Sequence, residues 1–288
     1  MKFYDCVMFR DEIDLLRLRI DILKDKVNDF IVFEALNEHL SGKERKAFLN
    51  DEKLKSIRSE FPNKNIIHVE VPLEQDSAWG RENEHRIKIY DYFNDLNPDL
   101  EDTILISDCD EIPNPKKLKE SARHDFVFFD QMYFIHFLDL YSSKNVTGTV
   151  AIKWHKLKLI QQKYNNVAYQ LLRNNKDFGP EIEDGGWHYS YVGGVDQVTT
   201  KARTIAEGDQ AYERDLFVDQ IKEALENKNS PYSSEKLVKL DRDADMYMGS
   251  YIKLRAGNIT KHQDGNEPFP EFLLNNKEKY KHLFSHEN

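Results

Sequence analysis

Ten residues decide the fold, and they read Ile104-Leu105-Ile106-Ser107-Asp108-Cys109-Asp110-Glu111-Ile112-Pro113. The apolar first part predicts a buried strand, and open α/β sheets bind their ligands at the carboxyl ends of such strands. If the chain stays extended, Asp108 and Asp110 point to the same side, because side chains repeat every second residue. Carboxylate oxygens are ligands for hard divalent cations. The stretch therefore predicts a strand that ends at a metal site.

Strand and helix patterns alternate four times around this stretch. Strands are predicted at residues 3–9, 30–33, 66–71 and 104–108, with helical spacing of apolar residues between them. The alternation predicts an α/β fold with a Rossmann-like, mostly parallel sheet flanked by helices. Neither a Gly-X-Gly-X-X-Gly nor a Walker motif accompanies it, which argues against dinucleotide-binding and P-loop folds.

The second half of the chain is less regular. Aromatic-rich strands are predicted at residues 126–134 and 149–154, and an acidic helix around residues 217–224. A further helix is predicted from Pro270. No repeat and no linker rich in Pro, Gly or Ser divides the chain. We therefore expect a single domain over residues 1–288.

Composition limits the class of protein. The 288 residues carry a formal charge of −10, whereas a general nucleic-acid binder needs a basic face. No apolar run is long enough to span a membrane, and the N-terminal residues do not have the pattern of a signal peptide. Only two cysteines are present. We therefore expect a cytoplasmic protein that does not bind nucleic acid.

A second acidic cluster contains Glu181, Glu183 and Asp184, and it stands directly before Gly185 and Gly186. If both acidic clusters meet at one crevice, the first can hold a metal and the second can supply a general base. Paired glycines favour this interpretation, because they let the backbone approach a ligand closely. The alternative is a solvated acidic loop.

His188 and Arg81 are further candidates, each with an ordinary structural alternative. His188, between Trp187 and Tyr189, is a candidate metal ligand or diphosphate contact, or else a hydrogen-bonded structural histidine. Arg81 stands near the start of a predicted helix, where a guanidinium and free backbone amides suit a phosphate. Its alternative is a surface arginine paired with a neighbouring glutamate.

Together these segments resemble glycosyltransferase family 17, which includes β-1,4-mannosyl-glycoprotein β-1,4-N-acetylglucosaminyltransferases. The resemblance covers nearly the whole chain. It is carried in order by Phe3-Tyr4-Asp5-Cys6, Glu12-Ile13-Asp14-Leu15-Leu16, Phe33-Glu34, Ser41-Gly42-Lys43, Arg81-Glu82-Asn83 with Arg86, Ile106 to Pro113, Gly186-Trp187-His188-Tyr189-Ser190-Tyr191, and Pro270 with Phe272, Asn275 and Tyr280-Lys281-His282-Leu283.

The resemblance implies a GT-A-like fold and an inverting transfer of N-acetylglucosamine from UDP-GlcNAc to a glycan acceptor. It implies Mn²⁺ or Mg²⁺ at Asp108 and Asp110, and His188 is the candidate third ligand. Glu183 and Asp184 look like the acidic pair that often supplies the base in inverting GT-A enzymes. Asp184 is the expected base, and Glu183 is the alternative. The residues expected to contact the donor are Glu34, Arg81, Arg86, Asp108, Gly186, Trp187 and His188.

On this interpretation, residues 1–113 form the nucleotide-binding half, and residues 114–288 form the acceptor and active-site half. Three alternatives stay open at this point. The first is a metal-dependent glycosyltransferase with another nucleotide-sugar donor. The second is a metal-dependent phosphohydrolase or nucleotidyltransferase, and the third is a glycan-binding module without turnover.

Overall fold

The fold is taken from a computed structural model. The structure describes residues 1–165, 169–204, 211–230, 236–239, 251–255, 258–262 and 269–285. The first half alternates between strand and helix, as predicted. Its strands β1 to β5 are Phe3–Phe9, Asp29–Ala35, Asn65–Val71, Thr103–Asp108 and Glu111–Pro113, and its helices α1 to α3 are Ile13–Leu23, Asp51–Glu60 and Ala78–Leu96.

The second half begins with the short helix α4 (Leu118–Ser121). The further strands β6 to β11 are Phe126–Ile135, Leu140–Lys153, Glu181–Ser190, Val238–Lys239, Tyr251–Arg255 and Asn258–His262. The further helices α5 to α9 are Trp154–Tyr164, Tyr169–Asn174, Val195–Thr204, Ala211–Asn227 and Glu271–Asn275, with 3-10 turns at Lys176–Phe178 and Lys277–Leu283. The strand predicted at 149–154 is longer, and Trp154 belongs to the next helix.

Strand β1 lies inside the main sheet, whose order is β3-β2-β1-β4-β7-β6-β8-β5, with β9 beside β7. The strands β3, β2, β1 and β4 are parallel, whereas β7 runs antiparallel to β4 and β6. The α/β class and the parallel first half are therefore confirmed, within a sheet that is mixed as a whole. The chain moves outward from β1 to β3 and then returns to β4 on the other side of β1, which creates a topological switch point between β1 and β4.

Apolar side chains cover both faces of the sheet. On β1, Val7 and Phe9 belong to one buried cluster, and Cys6 and Met8 belong to the other. This arrangement explains why the strands read as nearly continuous apolar runs, since a sheet buried on both faces needs no polar side. Within the described ranges, no helix combines the length and the apolar character that a membrane span requires.

Helix α3 places several buried side chains near the switch point. Its N-terminus is capped by Ser77, whose hydroxyl accepts a 3.0 Å hydrogen bond from the Gly80 amide. Arg81, His85 and Arg86 are buried along its first turns. Arg81 and His85 share a helix face because they are four residues apart, and His85 and Arg86 lie beside Asp108 at the end of β4.

Candidate active site

A cavity of about 300 Å³ opens at the switch point, where β1 and β4 end. Open α/β sheets bind ligands at this position. Charged side chains dominate the cavity wall. Its carboxylates are those of Glu12, Glu82, Asp108, Asp110 and Glu111, and its permanent cations are Arg10, Arg86, Arg173 and Lys201.

The acidic stretch forms a tight turn in this wall. β4 ends at Asp108 and β5 begins at Glu111, so the chain does not stay extended between them. Both Asp108 and Asp110 nevertheless line the cavity. Their environments differ, because the Asp108 side chain is 36% exposed and the Asp110 side chain only 4%. Asp108 is therefore the more accessible carboxylate of the pair.

Each of these carboxylates contacts a cation of the protein. Arg86 donates to both Asp108 oxygens, at 2.9 and 3.2 Å, and to Glu82 at 2.6 Å. Arg173 donates to Glu111 at 2.9 Å. Such charge-assisted hydrogen bonds fix side chains at defined positions. The cavity thus presents ordered positive and negative groups side by side.

Lys201, on α7, is the cation nearest to Asp110. Its ammonium lies 2.6 Å from Asp110 and 3.7 Å from Glu12. Burial opposes the charge, but Asp110 and Glu12 raise the pKa of Lys201 above its usual range. Burial likewise opposes ionisation of Asp110, whose pKa is lowered by Lys201 and His188. Both groups are therefore charged at neutral pH, and they form an ion pair.

Arg19 fixes the backbone beneath the acidic turn. Its guanidinium is fully buried and donates to the Asp5 carboxylate at 2.6 and 2.7 Å. It also donates to the Ser107 hydroxyl at 2.7 Å and to the Glu111 carbonyl at 2.6 Å. Because Arg presents its donors in a rigid planar fork, this one side chain links α1, β1 and the acidic turn.

His188 lies in the same cavity, on β8 opposite Glu111 of β5. Its Nε2 atom is 3.7 Å from Asp110, and its Nδ1 atom is 3.9 Å from Glu111. The Nδ1 atom is buried without a hydrogen-bond partner, and the ring lies 4.9 Å from that of Tyr133. The structure thus places His188 on the wall of the same cavity as Asp108 and Asp110, while its role as a metal ligand stays a prediction.

The donor set agrees in kind with a hard divalent cation. Asp108 and Asp110 line the cavity, and Mg²⁺ is commonly bound by one or two carboxylates with phosphate oxygens and water completing its shell. Among the described residues, no group of three or more His, Cys, Asp and Glu side chains is arranged to hold a metal by itself. A cation at Asp110 would also have to displace the Lys201 ammonium. The two carboxylates are therefore of the kind that binds such a cation together with phosphate oxygens, provided that the Lys201 ammonium is displaced.

A second cavity, of about 190 Å³, adjoins the first and shares Phe9, Arg10, His39 and His85 with it. Phe48 forms part of its wall, with its ring 6.1 Å from that of Phe9. Arg45, Asn37 and Thr204 add polar groups. An aromatic wall with a few polar groups is typical of a site for a planar ring.

Glu34 supports this second cavity from below, without lining it. It is fully buried and accepts hydrogen bonds from the backbone amides of Phe48 and Leu49 and from Arg45, the last at 2.7 Å. His68 lies 3.1 Å from the same carboxylate. Glu34 therefore holds the segment that carries Phe48 and Arg45, and it is not itself placed to contact a ligand in either cavity.

Arg81 was a candidate phosphate contact, but in the structure its partners are groups of the protein itself. Its guanidinium donates to four backbone carbonyls, each at 2.7 Å. The carbonyls belong to His39, Leu40, Gln75 and Asp76. The side chain thus ties together two loops, and its fork of donors is occupied by the protein itself.

His39, which is partly buried, contacts the buried His85 between the two cavities. His39 Nε2 lies 3.2 Å from His85 Nδ1, and His85 Nε2 lies 3.1 Å from the Phe33 carbonyl oxygen. Burial, with a smaller contribution from Arg86, lowers the pKa of His39 to about 4. Burial, followed by His39 and Arg86, lowers the pKa of His85 well below its usual value. Both rings are therefore neutral at pH 7.

The structure does not bring Glu183 and Asp184 to the cavity. They lie near the start of β8, where Asp184 has a φ of 55° and the pairing with β6 shifts register between Ile182 and Gly186. Glu183 is exposed, and the Asp184 carbonyl accepts a 3.2 Å hydrogen bond from Asn114. Neither carboxylate contributes to the walls of the two cavities described above.

Gly186 and Trp187 likewise serve packing in this structure. Gly186 has a φ of 137°, and a Cβ atom there would lie 2.2 Å from the Ile112 carbonyl oxygen. The glycine is therefore needed where β8 approaches β5. Trp187 is 4% exposed and belongs to the apolar cluster on the opposite side of β8 from His188.

Several cavity residues were missed by sequence reasoning, namely His39, His85, Arg173 and Lys201. None belongs to a recognisable motif, and His39 and His85 are 46 positions apart. Lys201 is 91 positions from Asp110. Arg86, by contrast, was predicted, because it belongs to the motif quoted above.

Comparison with known proteins gives a family match and similarity to solved structures. The family profile described as "Glycosyltransferase family 17" matches residues 1–287. Among solved structures, the chain is similar to a crystal structure of 4-diphosphocytidyl-2C-methyl-D-erythritol synthase, with 10% sequence identity and a TM-score of 0.39, over 64% of this chain and 89% of that chain. No curated protein sequence matches the chain.

Proposed function

The chain belongs to glycosyltransferase family 17, and we propose that it transfers N-acetylglucosamine from UDP-GlcNAc to a hydroxyl group of a glycan, with inversion at the anomeric carbon. The observation that best supports this proposal is the cavity at the switch point, where Arg86 and Lys201 lie beside Asp108 and Asp110. That combination suits a bound diphosphate. Glycosyltransferase activity itself follows from the family; the donor sugar and the stereochemistry are the proposal.

The two adjoining cavities suit the parts of a nucleotide sugar. We assign the base to the second cavity, between Phe9 and Phe48, and the diphosphate to the first. An ammonium group has three N–H donors, of which Asp110 and Glu12 take at most two. Lys201 therefore retains a donor for a phosphate oxygen. Arg10 lines both cavities and supplies a further positive charge between them.

We propose further that Asp108 and Asp110, with His188 beside them, hold Mn²⁺ or Mg²⁺ when the donor is bound. Such an ion would neutralise charge on the departing diphosphate. The protein contributes the orientation of the carboxylates, because Arg19 and Arg86 fix the turn that carries them. For a cation to bind at Asp110, the Lys201 ammonium would have to leave this carboxylate, and its charge would then be available to the diphosphate.

An inverting transfer needs a base that takes the proton of the acceptor hydroxyl. Asp184, with Glu183 as the alternative, stays our sequence-based proposal for this group. Neither residue lines the two cavities, so the geometry of the cavities does not support the assignment. Glu12 is the rival, because it lines the cavity and its side chain is 11% exposed. Variants of the two residues distinguish these assignments.

Release of UDP from a panel of UDP-sugars, with and without a glycan acceptor, tests the proposed activity. We expect Mn²⁺-dependent release from UDP-GlcNAc that rises when acceptor is added, and a β-linked product by proton NMR. In binding assays, UDP-GlcNAc should bind more tightly than UDP-glucose, UDP-galactose and GDP-mannose. Tighter binding of GDP-mannose would contradict the donor assignment. Release of phosphate instead of UDP would identify a phosphohydrolase.

A further inference from the structure

We propose that His85 fixes the tautomer of His39, so that His39 Nδ1 accepts a hydrogen bond from a ribose hydroxyl of the bound nucleotide. The inference rests on the proposed nucleotide-sugar donor, and it adds a recognition residue and a positioning residue to that site. It starts from the chain of contacts that runs from the Phe33 carbonyl through His85 to His39.

The Phe33 carbonyl group determines which histidine nitrogen donates and which accepts in this series of contacts. The Phe33 oxygen can only accept a hydrogen bond, so His85 Nε2, at 3.1 Å, must carry a proton. A neutral imidazole has one protonated nitrogen, which leaves His85 Nδ1 as an acceptor. His39 Nε2, at 3.2 Å, must then be the donor. In a neutral His39 the remaining nitrogen, Nδ1, is consequently an acceptor.

The surroundings keep both rings neutral. His85 is 1% exposed, and the charged groups around the pair include Arg10, Arg45, Arg81 and Arg86. Burial and these cations lower the pKa of His39 to about 4. Asp108 acts in the opposite direction on His39, but its effect is smaller than that of Arg86. A second proton on the pair would therefore cost free energy at neutral pH.

The position of His39 points to the ribose. His39 lines both cavities, one of which we assign to the base and the other to the diphosphate. In a nucleotide the ribose lies between these groups. The His39 backbone is held by Arg81, which donates to its carbonyl at 2.7 Å. Within the described residues no donor is bonded to His39 Nδ1, so a ligand hydroxyl can take that place.

Binding of UDP, 2′-deoxy-UDP and 3′-deoxy-UDP tests the inference by isothermal titration calorimetry. For the unchanged protein we expect one deoxy compound to bind about 3- to 10-fold more weakly than UDP, the loss of one net hydrogen bond. His39→Phe should abolish this ratio, because it retains a ring but no acceptor. His85→Phe should reduce the ratio, because it leaves His39 free to exchange tautomers.

His124→Phe is the matched control, since His124 is exposed and lies outside both cavities. It should retain the ratio. Nitrogen-15 NMR of the histidine side chains gives a second readout that does not depend on ligand. His39 should carry its proton on Nε2 in the unchanged protein and show mixed tautomers in His85→Phe. Thermal unfolding identifies any variant that fails to fold.

The outcomes separate the two proposals. If UDP does not bind the unchanged protein, the nucleotide-sugar function is wrong. If UDP binds and both deoxy compounds bind as tightly as UDP, the ribose contact is wrong while the proposed function stands. An unchanged ratio in His39→Phe, or a proton on His39 Nδ1 in the NMR spectrum, also overturns the inference.

Discussion

The Arg19 guanidinium and the Asp5 carboxylate form an ion pair that is almost completely shielded from solvent, with nitrogen–oxygen distances of 2.6 and 2.7 Å. Burial opposes the charge on Arg19, but Asp5 raises the pKa of the guanidinium. A buried charge without its partner is costly. The pair therefore joins the stability of the fold to the position of the acidic turn above it.

Arg19→Met should lower the free energy of unfolding by about 3–5 kcal/mol, because Asp5 would be left as an unpaired buried charge. Urea unfolding followed by circular dichroism measures this change. Arg17→Met is the control, since Arg17 is partly exposed and pairs with Glu60 at 2.9 Å. It should cost less than about 1 kcal/mol. Equal losses in the two variants would contradict a special role for the buried pair.

Lys201→Met should weaken UDP binding in the absence of metal by about 10-fold or more, the scale of a charge-assisted hydrogen bond. The same change should strengthen Mn²⁺ binding to the protein alone, because the ion no longer competes with an ammonium at Asp110. Calorimetry measures both affinities. Lys88→Met, on the exposed side of α3, should change neither. Unaltered UDP and Mn²⁺ affinities in Lys201→Met would remove this residue from the site.

Asp110→Asn should lose the Mn²⁺-dependent stabilisation by UDP-GlcNAc that we expect for the unchanged protein. The reason is that an amide oxygen carries no charge to attract the cation. Thermal-shift titration with nucleotide and Mn²⁺ measures the effect. Asp130→Asn, outside the cavity, is the comparison. Retained metal-dependent stabilisation in Asp110→Asn would show that the ion is held elsewhere.

The base assignment predicts a loss of transfer without a loss of binding. If Asp184 is the base, Asp184→Asn should leave UDP-GlcNAc affinity nearly unchanged and lower the transfer rate by about 10²-fold or more. Glu183→Gln and Glu12→Gln are measured beside it. A large loss confined to Glu12→Gln would move the role to the cavity wall, as its position suggests.

Stability should fall as the pH is lowered from about 6.5 toward 4. Burial lowers the pKa values of His39 and His136 to about 4, so the unfolded chain takes up protons in this range that the folded chain does not. Stability then rises with pH. His136→Asn should reduce the slope by about one proton, since Asn tolerates the positive φ of 70° at this position. An unchanged slope would contradict the lowered pKa of His136.

The parallel strands β1, β2 and β4 could be predicted from sequence because each is an apolar run buried on both faces, whereas the edge strand β3 is only partly buried. The acidic turn was found for the same reason, since three carboxylates interrupt such a run. Its internal geometry was not found, because the turn at 109–110 depends on Arg19 and on the partner strand β8. An extended chain was the natural expectation without those contacts.

Of the cavity cations, Arg86 was predicted from its motif, but Arg173 and Lys201 could not be, because each reaches the cavity from a distant part of the chain. Lys201 on α7 looks like an ordinary polar helix residue until its helix is placed against Asp110. Conversely, Gly186 was predicted to contact the donor. Its close approach to the Ile112 carbonyl oxygen is a sufficient reason for a glycine at this position. A local sequence pattern indicates the chemistry of a residue. Its neighbours in the fold are known only from the tertiary contacts.

The contacts made by α7 have a consequence for biosynthesis. Arg10 of the first strand end donates to the Thr204 hydroxyl, and Lys201 pairs with Asp110, so the helix links late residues to early ones. Contacts of such sequence separation form slowly. A nascent chain that has emerged only as far as β8 exposes Asp110 without its ammonium partner. Productive completion of the site must therefore wait until the ribosome has released α7.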